Sequence, residues 1–340
     1  MSATSAHVRD KRGEWSPEQP VALAPINHWP LQPRALMKWF VGFPGYLWPY
    51  NGLWFAITIV TWFFLTPPLA AMQTLEVWWV AWILARNLLL VSLVFGTLHA
   101  WLYIYKRQGE ELQFSNRGPA RDSRRFLFRD QVKDNVFFTL ASAVPIATAY
   151  EVLTYWLYAN GYLGWLGLED SPVLFWALFI GLVLIAPVIH SFHFYFGHRL
   201  LHVPFLYKRV HSLHHKNVEI GPWSGLAMHP VEHAIYLSTP FVQWLVALHP
   251  LNALFQLQLA VFLPALSHSG FQKLKVGDQL EVDGGCHFHY LHHRYFECNY
   301  GGSLIPLDKW FGTFHDGTPE GQAATTQRLR KIRGLAPKTA

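Results

Sequence analysis

Four long apolar stretches dominate the chain up to residue 196, and each is about as long as a membrane-crossing helix. They run from about residue 50 to 69, 77 to 105, 136 to 158 and 173 to 196. Because a helix needs about 20 mostly apolar residues to cross a bilayer, the pattern predicts four transmembrane helices. The second stretch contains Arg86, which is costly in lipid and should therefore face neighbouring helices or the membrane interface.

A fifth apolar stretch, from about residue 234 to 266, is interrupted near His249 and Pro250. Its two halves are short for full crossings. The pattern therefore fits two helices that dip into the membrane as well as it fits two complete spans. Either arrangement returns the chain to the side of the membrane from which it came.

The basic residues indicate how these helices are oriented. Lys and Arg cluster between residues 106 and 133, whereas the connections at 66–76 and 160–171 contain neither. Since positively charged loops favour the cytoplasm, this predicts a cytoplasmic N-terminus and a cytoplasmic location for the chain beyond about residue 197. Residues 1–34 lack the apolar stretch of a signal peptide, so the first span is expected to be an uncleaved anchor.

The composition agrees with a membrane protein. Hydrophobic residues make up 51% of the chain and charged residues only 14%, whereas about a quarter of a soluble domain is charged. The formal charge of +6 fits a membrane surface better than a nucleic acid, because the basic residues form no nucleic-acid-reading motif. The two cysteines, Cys286 and Cys298, are too few for a disulfide framework and are predicted to be reduced thiols.

Histidine is concentrated in one part of the chain, since 15 of the 19 histidines lie between residues 190 and 293. Three clusters have the spacing of helix neighbours: His198 and His202; His211, His214 and His215; and His289, His292 and His293. On a helix, each set would lie on one face, so that its ring nitrogens converge on one ion. Eight imidazoles exceed the four or six ligands of a single ion and favour two metals.

Other histidines and carboxylates near these clusters are candidates for the same site. His268 stands where the fifth apolar stretch returns to the cytoplasmic side, and it is predicted to be a further ligand. His229, His233 and His287 are candidate ligands, with hydrogen bonding to a ligand as the alternative. His190 and His193 are expected to line the helix bundle or a substrate channel. The carboxylates predicted to hydrogen-bond the imidazoles are Glu232, Glu281, Asp283, Glu297 and Asp308.

The identity of the metal does not follow from imidazole alone, which suits Zn, Cu, Fe and Ni. A redox-capable dimetal centre beside the membrane suits activation of O2 for attack on an unactivated C–H bond of a lipid. The sequence has no Ser/His/Asp nucleophile elbow, no P-loop and no His-Glu-x-x-His motif, which weakens hydrolase and nucleotide-enzyme interpretations.

Several motifs follow one another in a characteristic order. They are HRLLH at 198–202, YKRVHSLHH at 207–215, HPVEH at 229–233, HSG at 268–270, HYLHHRYFECNYG at 289–301 and LDKWFGTFHDG at 307–317. This order resembles the fatty acid hydroxylase superfamily of integral membrane proteins, over roughly residues 190–317. The resemblance implies an all-α membrane protein with about four transmembrane helices, a membrane-dipping helical hairpin and a cytosolic histidine-rich cap that holds a dimetal site.

The resemblance also divides the chain and assigns site residues. The predicted regions are a polar Pro-rich N-terminal tail (1–45), transmembrane helices (46–189), a fatty acid hydroxylase-type catalytic region (190–317) and a polar C-terminal tail (318–340). The implied metal ligands and catalytic residues are His198, His202, His211, His214, His215, His268, His289, His292 and His293. Asn299 and Gly301 resemble the family's turn after the last cluster, and Asp308 and residues 310–313 resemble its closing motif. Ser191 stands where many relatives have Asp.

The implied function is that of a non-heme di-iron oxygenase. It would use two Fe ions, which zinc can replace on purification, with O2 as co-substrate, to hydroxylate or desaturate a sterol, fatty acyl chain or related lipid from the bilayer. Electrons would come from a separate ferredoxin, cytochrome or reductase. Two alternatives remain at this stage: a membrane di-zinc hydrolase acting on a lipid, and a histidine-rich metal transporter or sensor without catalysis.

Overall fold

In the computed structural model, the chain is mostly helical. The residues described are 7–9, 13–17, 23–164, 168, 170–277, 280–284, 287–332 and 334. Cys286 and parts of both predicted tails lie outside them. The helices are α1 (Pro33–Val41), α2 (Gly52–Leu65), α3 (Val77–His99), α4 (Gln131–Phe138), α5 (Val144–Ala159), α6 (Pro172–Leu201), α7 (Pro204–Arg209), α8 (Pro230–Tyr236), α9 (Phe241–Trp244), α10 (Pro250–Ser267), α11 (His287–Tyr295), α12 (Leu307–Trp310) and α13 (Pro319–Ile332). Two short antiparallel pairs join β1 (His7–Arg9) to β2 (Trp15–Pro17) and β3 (Lys273–Val276) to β4 (Leu280–Asp283).

Four helical segments of the described chain are long and apolar enough to cross a membrane. They are Val77–Ile104, Gln131–Ala159, Pro172–Leu201 and Pro250–Ser267. The first three coincide with predicted spans. The fourth is the second half of the interrupted stretch. Its apolar window is 89% buried inside the protein, whereas that of Pro172–Leu201 is only 17% buried.

The first predicted span, 50–69, is shorter than expected. Its helix α2 has 14 residues, fewer than the roughly 20 that a complete crossing needs. Prolines bound it on both sides: Pro49 precedes it, and Pro67 follows Leu65 by two residues. Because proline disfavours helix at the residue before it and lacks a backbone N–H, these residues limit the length of α2.

Helix α10, which forms the second half of the interrupted apolar stretch, lies at the centre of the bundle. It packs against α2, α3, α5 and α6. The other half of the predicted hairpin consists of the short helices α8 and α9, because Pro240 and Pro250 interrupt the chain. Polar side chains of α10 are paired inside the bundle: Gln258 accepts from Thr58 at 2.8 Å, and Gln256 donates to the Ala186 carbonyl at 3.2 Å.

Arg86 faces the helices of the bundle, as its position in an apolar stretch predicted. Its guanidinium pairs with the Glu151 carboxylate, and both side chains are 3% exposed. The other Glu151 oxygen accepts from the Asn87 amide at 2.9 Å. The charge of Arg86 is therefore balanced within the protein, as an intramembrane charge requires.

Part of the predicted polar N-terminal tail is packed against the rest of the protein. Trp15 is 2% exposed and lies edge-on to the ring of Phe114. Glu14 accepts from Arg294 at 2.5 Å and from the hydroxyl of Tyr290. Both of these partners lie on α11, so the N-terminal segment is joined to the helix that carries the second histidine repeat.

Candidate metal centre

Nine histidines form two adjoining groups at the ends of α6 and α10. The five-histidine group contains His198, His202, His211, His215 and His292, and the four-histidine group contains His214, His268, His289 and His293. Within each group, one ring nitrogen per residue lies within 4.8 Å of all the others. These are the nine histidines that the resemblance implies as ligands.

The two groups are close enough to form one dinuclear centre. The ring centroids of His215 and His293, which belong to different groups, are 4.9 Å apart. Those of His289 and His292 are 5.5 Å apart. All nine side chains are buried except His202, which is partly buried.

The hydrogen bonds of the outer ring nitrogens leave lone pairs directed inward. Nδ1 of His198 donates to the Tyr300 carbonyl at 2.7 Å, and Nδ1 of His292 donates to the Cys298 carbonyl at 2.6 Å. Since a carbonyl only accepts, Nδ1 carries the proton and Nε2 of the neutral ring carries a lone pair. In the four-histidine group, Nδ1 of His268 likewise donates to the Pro264 carbonyl at 3.1 Å.

The inward-facing nitrogens of the histidines lie close together. Nε2 of His198 is 3.0 Å from Nε2 of His211, and Nε2 of His292 is 3.1 Å from Nε2 of His215. In the second group, Nε2 of His268 is 3.1 Å from Nε2 of His293. Converging lone pairs repel one another unless a cation lies among them, so the donor set fits metal ions.

Burial keeps these rings neutral, which is the form that binds a metal. It lowers the pKa of His211 and His289 to about 3 and that of His214 to about 4. A neutral imidazole needs no deprotonation before it binds a metal at neutral pH.

Two carboxylates contact the five-histidine group. Oε1 of Glu232 is 2.7 Å from Nδ1 of His211, and Oε1 of Glu297 is 3.7 Å from Nδ1 of His202. Burial raises the pKa of Glu232 to about 7. The His202 ring holds the pKa of the Glu297 carboxyl below its usual value. Such contacts orient an imidazole and make its other nitrogen a better ligand.

The expectation that each cluster directs its rings to one ion is wrong. In the second repeat, His289 and His293 belong to the four-histidine group, whereas His292 belongs to the five-histidine group. This repeat lies on α11, where residues i+3 and i+4 differ by about 100° around the helix axis. The first repeat, on a 3₁₀ turn, is divided in the same way, with His214 separated from His211 and His215.

Three further candidate histidines lie outside both groups. Nδ1 of His229 accepts from the Val231 N–H at 3.2 Å and caps α8. His233 contacts the Ser142 hydroxyl at 2.9 Å and the Leu226 carbonyl at 3.0 Å. The His287 ring packs edge-on to Trp15 at a centroid distance of 5.0 Å.

Backbone carbonyls also contribute to the centre, and no residue pattern predicted them. One example is Ala227, whose carbonyl accepts from His214 at 3.3 Å. The turn that carries it packs closely on α10: a Cβ on Gly225 would lie 2.4 Å from the Pro264 carbonyl oxygen. Only glycine permits this approach, which fixes the turn beside His214.

A cavity of about 500 Å³ opens from the histidines into the bundle. Ligand sites commonly have this size. Its apolar walls include Phe194, Leu201, Met228, Ile235, Leu259 and Leu263. His198, His211, His214, His268 and His289 line one end of it, and His190, Ser191 and His193 also contribute to its walls.

Comparison with known sequences agrees with this geometry. The sequence model of the family described as "Fatty acid hydroxylase" matches residues 183–313. The match covers less than half of the chain. The matched residues include all nine clustered histidines.

Curated relatives resemble the chain over about half of its length. A Delta(7)-sterol 5(6)-desaturase of Gibberella zeae is 32% identical over 181 residues, which cover 52% of this chain and 51% of the relative. A Delta(7)-sterol-C5(6)-desaturase of Nicotiana tabacum is 32% identical over 192 residues, or 52% and 65% of the two chains. A very-long-chain aldehyde decarbonylase of Oryza sativa is 32% identical over 158 residues, or 44% and 59%.

The chain thus spans about half to two thirds of the length of the curated relatives it matches. No solved structure matches it.

Proposed function

We propose that this protein is a membrane-bound, O2-dependent lipid oxidoreductase of the non-heme di-iron type. It would hydroxylate or desaturate a sterol, a fatty acyl chain or a related lipid, using electrons from a separate ferredoxin, cytochrome or reductase. The observation that carries the proposal is the pairing of two buried histidine groups with a largely apolar cavity. The sterol desaturases among its relatives support a lipid substrate.

In this proposal, the nine histidines hold the metal ions through their converging nitrogens. Two iron ions bound there would supply the O2 chemistry needed to oxidise an unactivated C–H bond. The Tyr300 and Cys298 carbonyls hold His198 and His292 in the tautomer that leaves Nε2 free for the metal. Glu232 orients His211 in the same way.

The cavity supplies the second requirement, a water-poor site for a lipid. Phe194 lies beside His198 at a ring centroid distance of 5.0 Å and beside His289 at 6.0 Å. Its ring therefore forms an apolar surface beside one histidine of each group. A lipid carbon resting on Phe194 would lie next to the metal ligands, whereas bulk water would be displaced by the chain of the substrate.

The proposal is tested by metal content and by oxidation of lipid. Purified protein reconstituted with iron is expected to hold about two irons per chain, as counted by ICP-MS, and to consume O2 only with a reductant and membrane lipids. His214→Ala and His292→Ala each remove one ligand from a different group and should abolish this consumption. His99→Ala is the matched control, because His99 belongs to neither histidine group and does not line the cavity; its ring stacks on Tyr103.

Two results would contradict the proposal. The first is full activity in the double variant with His214→Ala and His292→Ala, which would exclude the histidine groups as the active centre. The second is a lipid product formed at the same rate without O2 after iron reconstitution, which would favour a di-zinc hydrolase.

A further inference from the structure

One polar side chain of the cavity has no role in the proposed metal centre. His190, on α6, lines the cavity and is only 4% exposed. Its Nδ1 has no hydrogen-bond partner among the described residues. A buried polar group without a partner costs free energy, so such a group in a ligand cavity points to a partner on the ligand.

The polar side chains around His190 are already engaged within the protein. The Ser191 hydroxyl donates to the Pro187 carbonyl at 2.8 Å, and Nε2 of His193 lies 3.0 Å from the Ser238 hydroxyl. The Tyr236 hydroxyl donates to the Ala260 carbonyl at 2.8 Å. Nδ1 of His193 also lacks a partner, but that side chain is only partly buried. Among the described residues in this part of the cavity, His190 is thus the buried imidazole that is available to a ligand.

A row of aromatic rings connects His190 to the histidine groups. Its ring stacks on Phe194 at a centroid distance of 6.1 Å, and Phe194 stacks on His198 at 5.0 Å. The His190 and His198 rings are therefore at most about 11 Å apart. Tyr236 lies edge-on to both His190 and Phe194, at 5.8 and 5.9 Å, and closes one side of this row of rings.

The charge of the cavity limits what His190 can bind. None of the described residues that line the cavity is Lys or Arg, and Glu232 and Asp283 are its acidic members. A carboxylate or phosphate group would therefore be buried without a cationic partner, which is strongly unfavourable. A hydroxyl group is neutral, and imidazole can both donate to it and accept from it.

We infer that the cavity takes a lipid alcohol, and that His190 binds its hydroxyl group. Since His190 lies eight residues before His198 on α6, about 12 Å along the helix axis, the hydroxyl is held away from the reacting carbon. The substrate class is then a neutral lipid oxidised at a carbon remote from its hydroxyl group. This inference rests on the proposed function for the reaction, but the binding of the alcohol does not depend on it.

Binding of matched probes tests the inference without catalysis. Dodecan-1-ol, dodecane and dodecanoic acid share one chain and differ only at its end. Each would be titrated into the iron-loaded, full-length protein in detergent, with thermal stabilisation as the readout. Wild type should bind the alcohol about tenfold more tightly than the hydrocarbon, the effect of a well-made hydrogen bond, and should bind the acid more weakly than the alcohol.

Variants at His190 identify the residue responsible. His190→Phe keeps an aromatic ring but no hydrogen-bonding atom, so the preference for the alcohol over the hydrocarbon should disappear. His190→Gln restores a donor and an acceptor and should recover most of it. His99→Phe removes an imidazole outside the cavity and should leave the preference unchanged. Equal binding of alcohol and hydrocarbon by wild type, or an unchanged preference in His190→Phe, would overturn the inference.

The same probes separate this inference from the proposed function. If lipids are oxidised in an O2-dependent way but the alcohol preference is absent, the role of His190 is wrong and the oxygenase stands. If the alcohol preference depends on His190 but no lipid is oxidised under any donor, the binding site stands and the oxygenase is wrong.

Discussion

A single carboxylate, that of Asp308, fixes the turn that orients His198. Its Oδ1 accepts from the Tyr300 N–H at 2.9 Å and from the Thr313 hydroxyl at 2.5 Å, and its Oδ2 accepts from the Gly301 N–H at 2.7 Å. The Tyr300 carbonyl in turn accepts from Nδ1 of His198. Asp308 therefore acts on the metal centre through the backbone, without contacting a metal itself.

Removing this carboxylate should weaken both stability and metal binding. Asp308→Ala removes the two oxygens that accept three buried hydrogen bonds, so the free energy of unfolding is expected to fall by about 3 kcal/mol. Iron content should fall as well, because the carbonyl that holds His198 is no longer fixed. Thermal unfolding in detergent and ICP-MS measure the two effects. Asp122→Ala, which removes an exposed carboxylate paired with Arg129, is the control and should change neither. Unchanged iron content in Asp308→Ala would exclude this positioning role.

The histidine spacing identified eight of the nine clustered residues, and the position of His268 at the end of the fifth apolar stretch added the ninth, but neither predicted their arrangement. The i, i+4 pairs, such as His198 and His202, do share a group. The division of each repeat between two groups depends on how α11 and the 3₁₀ turn face each other, which local spacing does not encode. His229 and His233 have the same spacing and lie elsewhere, because Pro230 begins α8 and leaves His229 as its cap. Spacing therefore predicts which rings can meet, whereas the tertiary fold decides where they meet.

Helix α1 and the following loop form an outer wall of the cavity that hydropathy did not reveal. Trp39 and Tyr46 line the cavity, while Met37 is 63% exposed on the opposite side of the wall. The Tyr46 hydroxyl donates to the Leu184 carbonyl of α6 at 2.5 Å, which holds this wall against the bundle. The segment is too short and too rich in proline to be recognised as a membrane element, although it contacts the same cavity as the metal centre.

Substitutions on the two faces of α1 should have different effects. Trp39→Ala removes a large ring from the cavity wall, so lipid binding should weaken about tenfold, in line with the loss of one buried aromatic contact. Met37→Ala changes the outer face of the same helix and should leave lipid binding unchanged. Titration with dodecan-1-ol, followed by thermal stabilisation, measures both. Equal effects of the two substitutions would mean that the wall does not contact the ligand.

Hydropathy predicted where the long helices lie but not which one is central. An apolar run is equally suited to lipid and to a protein interior, so α10 could not be distinguished from a lipid-facing span. The side-chain amides of Gln256 and Gln258 did indicate a central position for α10, because such polar groups need hydrogen-bond partners inside a bundle. The prolines around α2 similarly indicated where that helix must begin and end.

The distribution of charge over the whole molecule leads to the last prediction, the side of the membrane on which the metal centre lies. The loop that follows α3 carries the clustered basic residues, and the connection between α5 and α6 carries none. Because α6 begins at that uncharged connection and ends at His198 and His202, the metal centre and the basic loop should share the cytoplasmic side. A soluble electron donor could then reach it.

Site-specific labelling decides this orientation. In a variant with both native cysteines replaced by alanine, Arg125→Cys probes the basic loop and Tyr162→Cys probes the connection between α5 and α6; both positions are exposed. In sealed inside-out vesicles, a membrane-impermeant maleimide should label Arg125→Cys at once and Tyr162→Cys only after detergent is added. Right-side-out vesicles should give the reverse. If Tyr162→Cys were labelled first in inside-out vesicles, the metal centre would lie on the opposite side and an electron donor from the cytoplasm would be excluded.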